Sequence, residues 1–113
     1  MNLLSVETRN EVCVITPRGD SLSTRDNLDE LSRETHAIPV GSDVIVDLAN
    51  VSRDYQEWVG ALIAMHRLVT AAGYKMVVFG SRNGMAEKLA ITRIDKIITL
   101  VETEAEALAE VSV

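Results

Sequence analysis

One stretch constrains the fold more than any other: Val44 to Gly60, reading VIVDLANVSRDYQEWVG. Val44-Ile45-Val46 with Leu48 is a short apolar run rich in β-branched residues, entered from Gly41-Ser42. Such a run is a buried strand. After Val51 the apolar pattern stops, and Ser52 to Glu57 are polar apart from Tyr55. From Trp58 onward apolar residues recur at helical spacing. Strand, polar loop and helix in this order form one unit of an α/β sheet. Its function-bearing positions lie where a strand end meets a helix N-terminus.

The rest of the chain extends that pattern. Leu3, Leu4 and Val6, then Val12 to Ile15, make two β-rich runs separated by Thr8-Arg9-Asn10-Glu11. These predict a hairpin, with Pro17 ending its second strand because it has no N–H for a ladder. Ser23 or Thr24 can cap a helix running to about Thr35, with Asp26, Asp29 and Glu30 near its positive end. Helix-spaced Trp58, Leu62, Met65, Val69 and Ala72, widened by Val59 and Ile63, predict a second helix closed by Gly73. Lys75 to Phe79 reads as another buried strand, and Met85 to Leu89 as a short helix. Ile94 to Val101 lead into a last strand. Thr103 with Glu106 gives a capping box for a closing helix holding Ala105, Leu108, Ala109 and Val111. The order ββαβαβαβα calls for an α/β domain over residues 1–113, with a mixed, mostly parallel sheet of about five strands.

Composition narrows the function. A 113-residue chain supports one core. Aromatic residues are limited to Tyr55, Trp58, Tyr74 and Phe79, too few for a base-stacking platform. The net charge of −6 repels a phosphate backbone, so nucleic acid is disfavoured as a partner. Cys13 stands alone in an alternating apolar stretch, which makes it a small core residue and rules out an internal disulfide. Met1 to Val6 is too short for a signal-peptide apolar region, and the uncharged run from Trp58 to Met65 is far too short to span a membrane. A cytoplasmic location is the expectation.

Motifs for chemistry are sparse. His36 and His66 have no companion at a ligand spacing, and no phosphate loop, dinucleotide fingerprint or nucleophile elbow occurs. The expectation is therefore no cofactor, no metal and no enzyme. Gly80-Ser81-Arg82-Asn83-Gly84 follows a strand and can hold an anion on its N–H groups, or it is an ordinary connection. Asp54 and Glu57, three residues apart at a helix start, stabilise the positive end of the dipole, and that same end lowers their pKa, against a role as general acid.

Several pieces together resemble the STAS domain of bacterial anti-sigma factor antagonists and sulphate-transporter tails. They are Gly19-Asp20 before the first helix, Val46-Asp47-Leu48-Ala49-Asn50-Val51 at a strand end, Val77-Val78-Phe79, and Met85 to Leu89. Ile94-Asp95-Lys96-Ile97-Ile98 and Thr103 to Leu108 complete the series. The resemblance covers nearly the whole chain. It implies a regulatory module that docks on an anti-sigma factor, a kinase-like ATPase or a larger complex, with a homodimer as a further possibility.

The junction departs from that family. Antagonists of the phospho-switch type carry Asp-Ser-Ser/Thr-Gly-Leu-Gly there, with a phosphorylated first serine. Counted without gaps from Asp47, this chain has Tyr55-Gln56-Glu57-Trp58-Val59-Gly60. Gln56 stands at the phosphoacceptor position and cannot accept phosphate. Glu57 with Asp54 supplies fixed negative charge that partly imitates a phosphoserine. Alternatively, Tyr55 and Trp58 anchor a different partner, or Trp58 tucks into the core. Ser21, Ser23, Thr24 and Ser52 remain as other hydroxyls near this sheet end. The expected docking surface is Asp20, Ser21, Ser23 and Thr24 together with Arg53, Asp54, Tyr55, Gln56, Glu57 and Trp58. The alternative is a small-ligand or nucleotide sensor using the loops at Gln56 and Gly80 to Gly84.

Overall fold

The computed structural model describes residues 4–9, 11–17, 33–38, 40–49, 56–80, 93 and 96–111. Strands β1 (Leu4–Arg9) and β2 (Val12–Pro17) form an antiparallel hairpin. Residues 33–36, designated α1, are helical. Then come β3 (Val44–Asp47), α2 (Gln56–Ala71), β4 (Met76–Phe79), β5 (Thr99–Val101) and α3 (Glu104–Val111). The sheet runs β1-β2-β3-β4-β5, with every pair after the hairpin parallel. This is the mixed, mostly parallel five-stranded sheet expected from the residue pattern.

Strand alternation splits the core in two. On β3, Val44 and Val46 face one side of the sheet and Ile45 the other. On β4, Met76 and Val78 share the first side, while Val77 and Phe79 share the second. Both strands are apolar at every one of these positions because both of their faces are covered. The first side holds Ile38 and, from α2, Val59, Leu62, Met65 and Val69. The second side is sealed by Ala107 and Val111 of α3, with Leu108 packed at their margin. The topology explains this division. From β2 to β5 the chain advances one strand at a time in one direction, and α2, which connects β3 to β4, lies on the first face. α3 follows the last strand without a crossover to make, so it is free to cover the other face.

Several local expectations are refined. The hairpin turn is shorter than the polar run suggested. Arg9 is in register with Val12, so Thr8 and Arg9 belong to β1 and only Asn10-Glu11 connect. Glu11 takes φ 67°, as tight two-residue connections require. α2 starts at Gln56, two residues before the apolar periodicity begins. Its first two residues, Gln56 and Glu57, are polar, and the unpaired N–H groups of a helix start favour polar and acidic company. Ala72 lies past the helix end and is exposed. The helix closes as the Schellman pattern prescribes: Tyr74 N–H donates to Val69 O (3.0 Å), Gly73 N–H donates to Thr70 O (3.0 Å), and Gly73 takes φ 89°. In α3 the buried positions are Ala107 and Val111, whereas Ala105 and Ala109 are exposed. Ile97 is 64% exposed, and Ile98 is the residue that enters the core before β5. The expected helix at Met85 to Leu89 lies outside the described residues.

Candidate functional site

The site expected from the sequence is the C-terminal end of β3 and β4 and the start of α2. The structure fixes the floor of this region closely. Leu48 is buried, and its N–H donates to Phe79 O at 2.9 Å, extending the β3–β4 ladder beyond the last residue of β3. Asp47 turns its carboxylate onto the next residues, with Ala49 N–H donating to Asp47 Oδ1 at 2.8 Å. That contact stops the strand, as short acidic side chains do when they bond two residues on. Gly80 follows β4 with φ 80°, and a Cβ there would lie 3.0 Å from Ala49 N and 3.3 Å from Ala49 Cα. The chain segments leaving β3 and β4 are thus pressed backbone to backbone. Only glycine permits both that approach and that dihedral.

From this platform the chain passes to α2. Gln56, Glu57 and Trp58 form its first turn, so these three expected docking residues sit at the helix N-terminus. The other expected docking residues, Asp20, Ser21, Ser23, Thr24, Arg53, Asp54 and Tyr55, lie outside the described residues, as do Ser52 and Ser81 to Gly84. One turn further, Gly60 is exposed on the helix, and a Cβ added there would meet nothing within 4 Å. Glycine in a helix costs about 1 kcal/mol relative to alanine. Among the described residues nothing requires it at Gly60.

The other candidates for chemistry are Cys13, His36 and His66. Cys13 is buried, and loss of hydration pushes its thiol pKa up, which keeps it protonated and unreactive. His36 is exposed at the end of α1, and His66 is half-buried within α2. Among the described residues, no three His, Cys, Asp or Glu side chains gather as a metal-binding group. No described helix is long and apolar enough to cross a membrane.

Sequence reasoning did not anticipate a groove of about 600 Å³ at the opposite end of the sheet. Val6 and Thr8 of β1, Glu11 of the hairpin turn, Cys13 of β2, Asp43 before β3 and Tyr74 after α2 line it. These residues come from separate segments, so no local motif marks them. Its described lining holds two carboxylates and no Lys or Arg, which is a poor environment for a nucleotide's phosphates.

No family model matches the sequence, and no curated protein matches it. Solved structures do match in fold. A candidate anti-sigma factor antagonist from Thermotoga maritima superposes with a TM-score of 0.79 at 14% identity, covering 96% of this chain and 93% of that one. An anti-sigma factor antagonist (STAS) domain protein from Planctomyces limnophilus gives 0.75 at 16% identity, covering 97% and 98%. A Moorella thermoacetica RsbS variant carrying a Ser-to-Glu substitution gives 0.72 at 16% identity, covering 97% and 95%. The superpositions span nearly the full length of each partner, and the chain has the fold of the STAS-domain proteins.

Proposed function

We propose that this chain is a non-catalytic, cytoplasmic interaction module that docks on a protein partner through the loop before α2 and the first turns of that helix. The partner class that fits the resemblance is an anti-sigma factor, a kinase-like ATPase or a larger regulatory complex. Gly60 is the observation that carries the reading. An exposed helical glycine with open space at its Cβ position costs stability and makes no close contact with the described residues. It does admit the close approach of another protein's surface to the α2 backbone, one turn from Gln56-Glu57-Trp58. Gln56 at the phosphoacceptor position makes the docking independent of phosphate at that residue, and Glu57 gives the helix start a permanent charge.

Affinity capture from the native cell tests this with the wild type and the Trp58→Ala and Glu57→Ala variants. An anti-sigma or kinase-like protein should be retained by the wild type and lost at least about tenfold by the double variant, at unchanged thermal midpoint. Equal retention by all forms removes the docking site from this junction. If Trp58→Ala lowers the midpoint, its ring belongs to the core, and Glu57→Ala alone decides. The small-ligand alternative predicts stabilisation by a nucleotide or small acid in a thermal-shift screen, which a docking module does not show.

A further inference from the structure

The open edge of the sheet carries a self-complementary pattern. β1 pairs with β2 on one side only, and its residues from Val6 to Arg9 are exposed. In an antiparallel ladder, successive residues alternate between bonding the neighbour strand and facing away. Arg9 and Val12 close a two-residue connection, so Arg9, Glu7 and Ser5 bond β2, while Thr8, Val6 and Leu4 turn their N–H and C=O groups outward. Leu4 confirms the phase. Its N–H leaves the sheet and donates to Glu34 Oε1 of α1 at 3.0 Å. That carboxylate blocks one end of the edge. Among the described residues nothing covers the outward backbone groups of Val6 and Thr8.

We infer that this edge pairs with β1 of a second copy of the chain, antiparallel about a two-fold axis through Thr8. With Leu4 held by Glu34, three two-fold registers remain that join Val6 and Thr8 with themselves or one another. Val6 opposite Val6 would need the Leu4 N–H that Glu34 already holds. Val6 opposite Thr8 would set Glu7 against Glu7, a like-charge pair that destabilises a ladder. Thr8 opposite Thr8 sets Glu7 of each copy against Arg9 of the other, at a non-hydrogen-bonded position where side chains approach most closely. Each copy already pairs Arg9 Nη2 with Glu7 Oε2 at 3.1 Å and holds Arg9 Nη1 3.7 Å from Glu104 Oε1, so in the joined edges each Arg9 lies between acids of its own copy and Glu7 of the other. Thr8 supplies the paired backbone bonds and a Thr–Thr contact on the opposite face. The contact is small and polar, so the dimer is weak, forms with rising concentration and loosens with salt. It lies at the sheet edge and leaves the start of α2 open in both copies.

Sedimentation equilibrium across the micromolar to millimolar range, at low and high salt, tests the pairing. The wild type should shift from monomer to dimer at low salt. Thr8→Pro removes an outward N–H and no β1–β2 bond, a change that edge strands tolerate, so the dimer is lost while the hairpin, checked by its amide exchange, is kept. The Glu7→Arg chain and the Arg9→Glu chain should each be monomeric alone and associate when mixed, since one then presents two bases and the other two acids. A wild type that stays monomeric throughout overturns the inference. So does a dimer that survives Thr8→Pro, or charge-reversed chains that fail to associate on mixing.

Discussion

Gly60 and Gly80 show how the same residue type serves opposite ends. Gly80 sits at φ 80° with Ala49 N in its path, so Gly80→Ala must either rotate the backbone or push the end of β3 away. A loss of about 1–3 kcal/mol is expected in urea denaturation. Gly60 has neither constraint. Gly60→Ala should raise stability by up to about 1 kcal/mol in the same assay. If the helix start is a docking surface, that stabilised variant should also bind its partner more weakly in the capture experiment. A variant that gains stability and keeps full binding would leave the glycine without the role assigned to it. Both glycines were visible in the sequence. What separates them is a neighbouring backbone in one case and open space in the other, which only the fold can supply.

At the scale of elements, α3 is held by its ends. Glu106 N–H donates to Thr103 Oγ1 at 3.2 Å, and the Thr103 hydroxyl donates to Glu106 Oε1 at 3.1 Å. The capping pair was legible in the spacing, although the Glu106 carboxylate bonds the hydroxyl rather than the cap's N–H. The other end was not legible. α3 has no base in its last turn, and Lys75, from just before β4, donates to Glu110 O at 3.2 Å and lies 3.8 Å from Glu110 Oε2. A cation is favourable at that negative helix end. Thr103→Ala should cost about 0.5–2 kcal/mol, read from the denaturation midpoint. Because α3 alone covers its face of the described sheet, the loss should unfold the domain as a whole rather than fray one turn. A stepwise transition would show that α3 is dispensable to the core.

Over the whole molecule, stability should fall from the middle of the sheet outward. β3 and β4 are buried on both faces, while β1 is exposed over most of its length. In amide exchange at dilute protein concentration, Val44 to Leu48 and Met76 to Phe79 should be the slowest set. Val6 and Thr8 should be among the fastest, with Leu4 slower because Glu34 holds its N–H. Uniform protection across β1 at dilution would mean that something other than a second copy covers the edge.

The sequence alone determined the element types and the sheet class, because a continuous apolar run and a helical stripe record how many faces of each element lose contact with water. Val44 to Val46, Val77 to Phe79 and the Leu62-Met65-Val69 stripe carry that record directly. That residue 56 is a glutamine, with no hydroxyl to accept phosphate, was equally legible, since it is a matter of residue identity. Tertiary structure decided the rest. It set which face each helix covers, where α2 begins, that Gly80 clasps Ala49, and that Thr8 rather than Glu7 faces the open edge. Each of these depends on groups from distant segments meeting, or on the phase of a ladder counted from its turn. A chain read one window at a time does not hold that information.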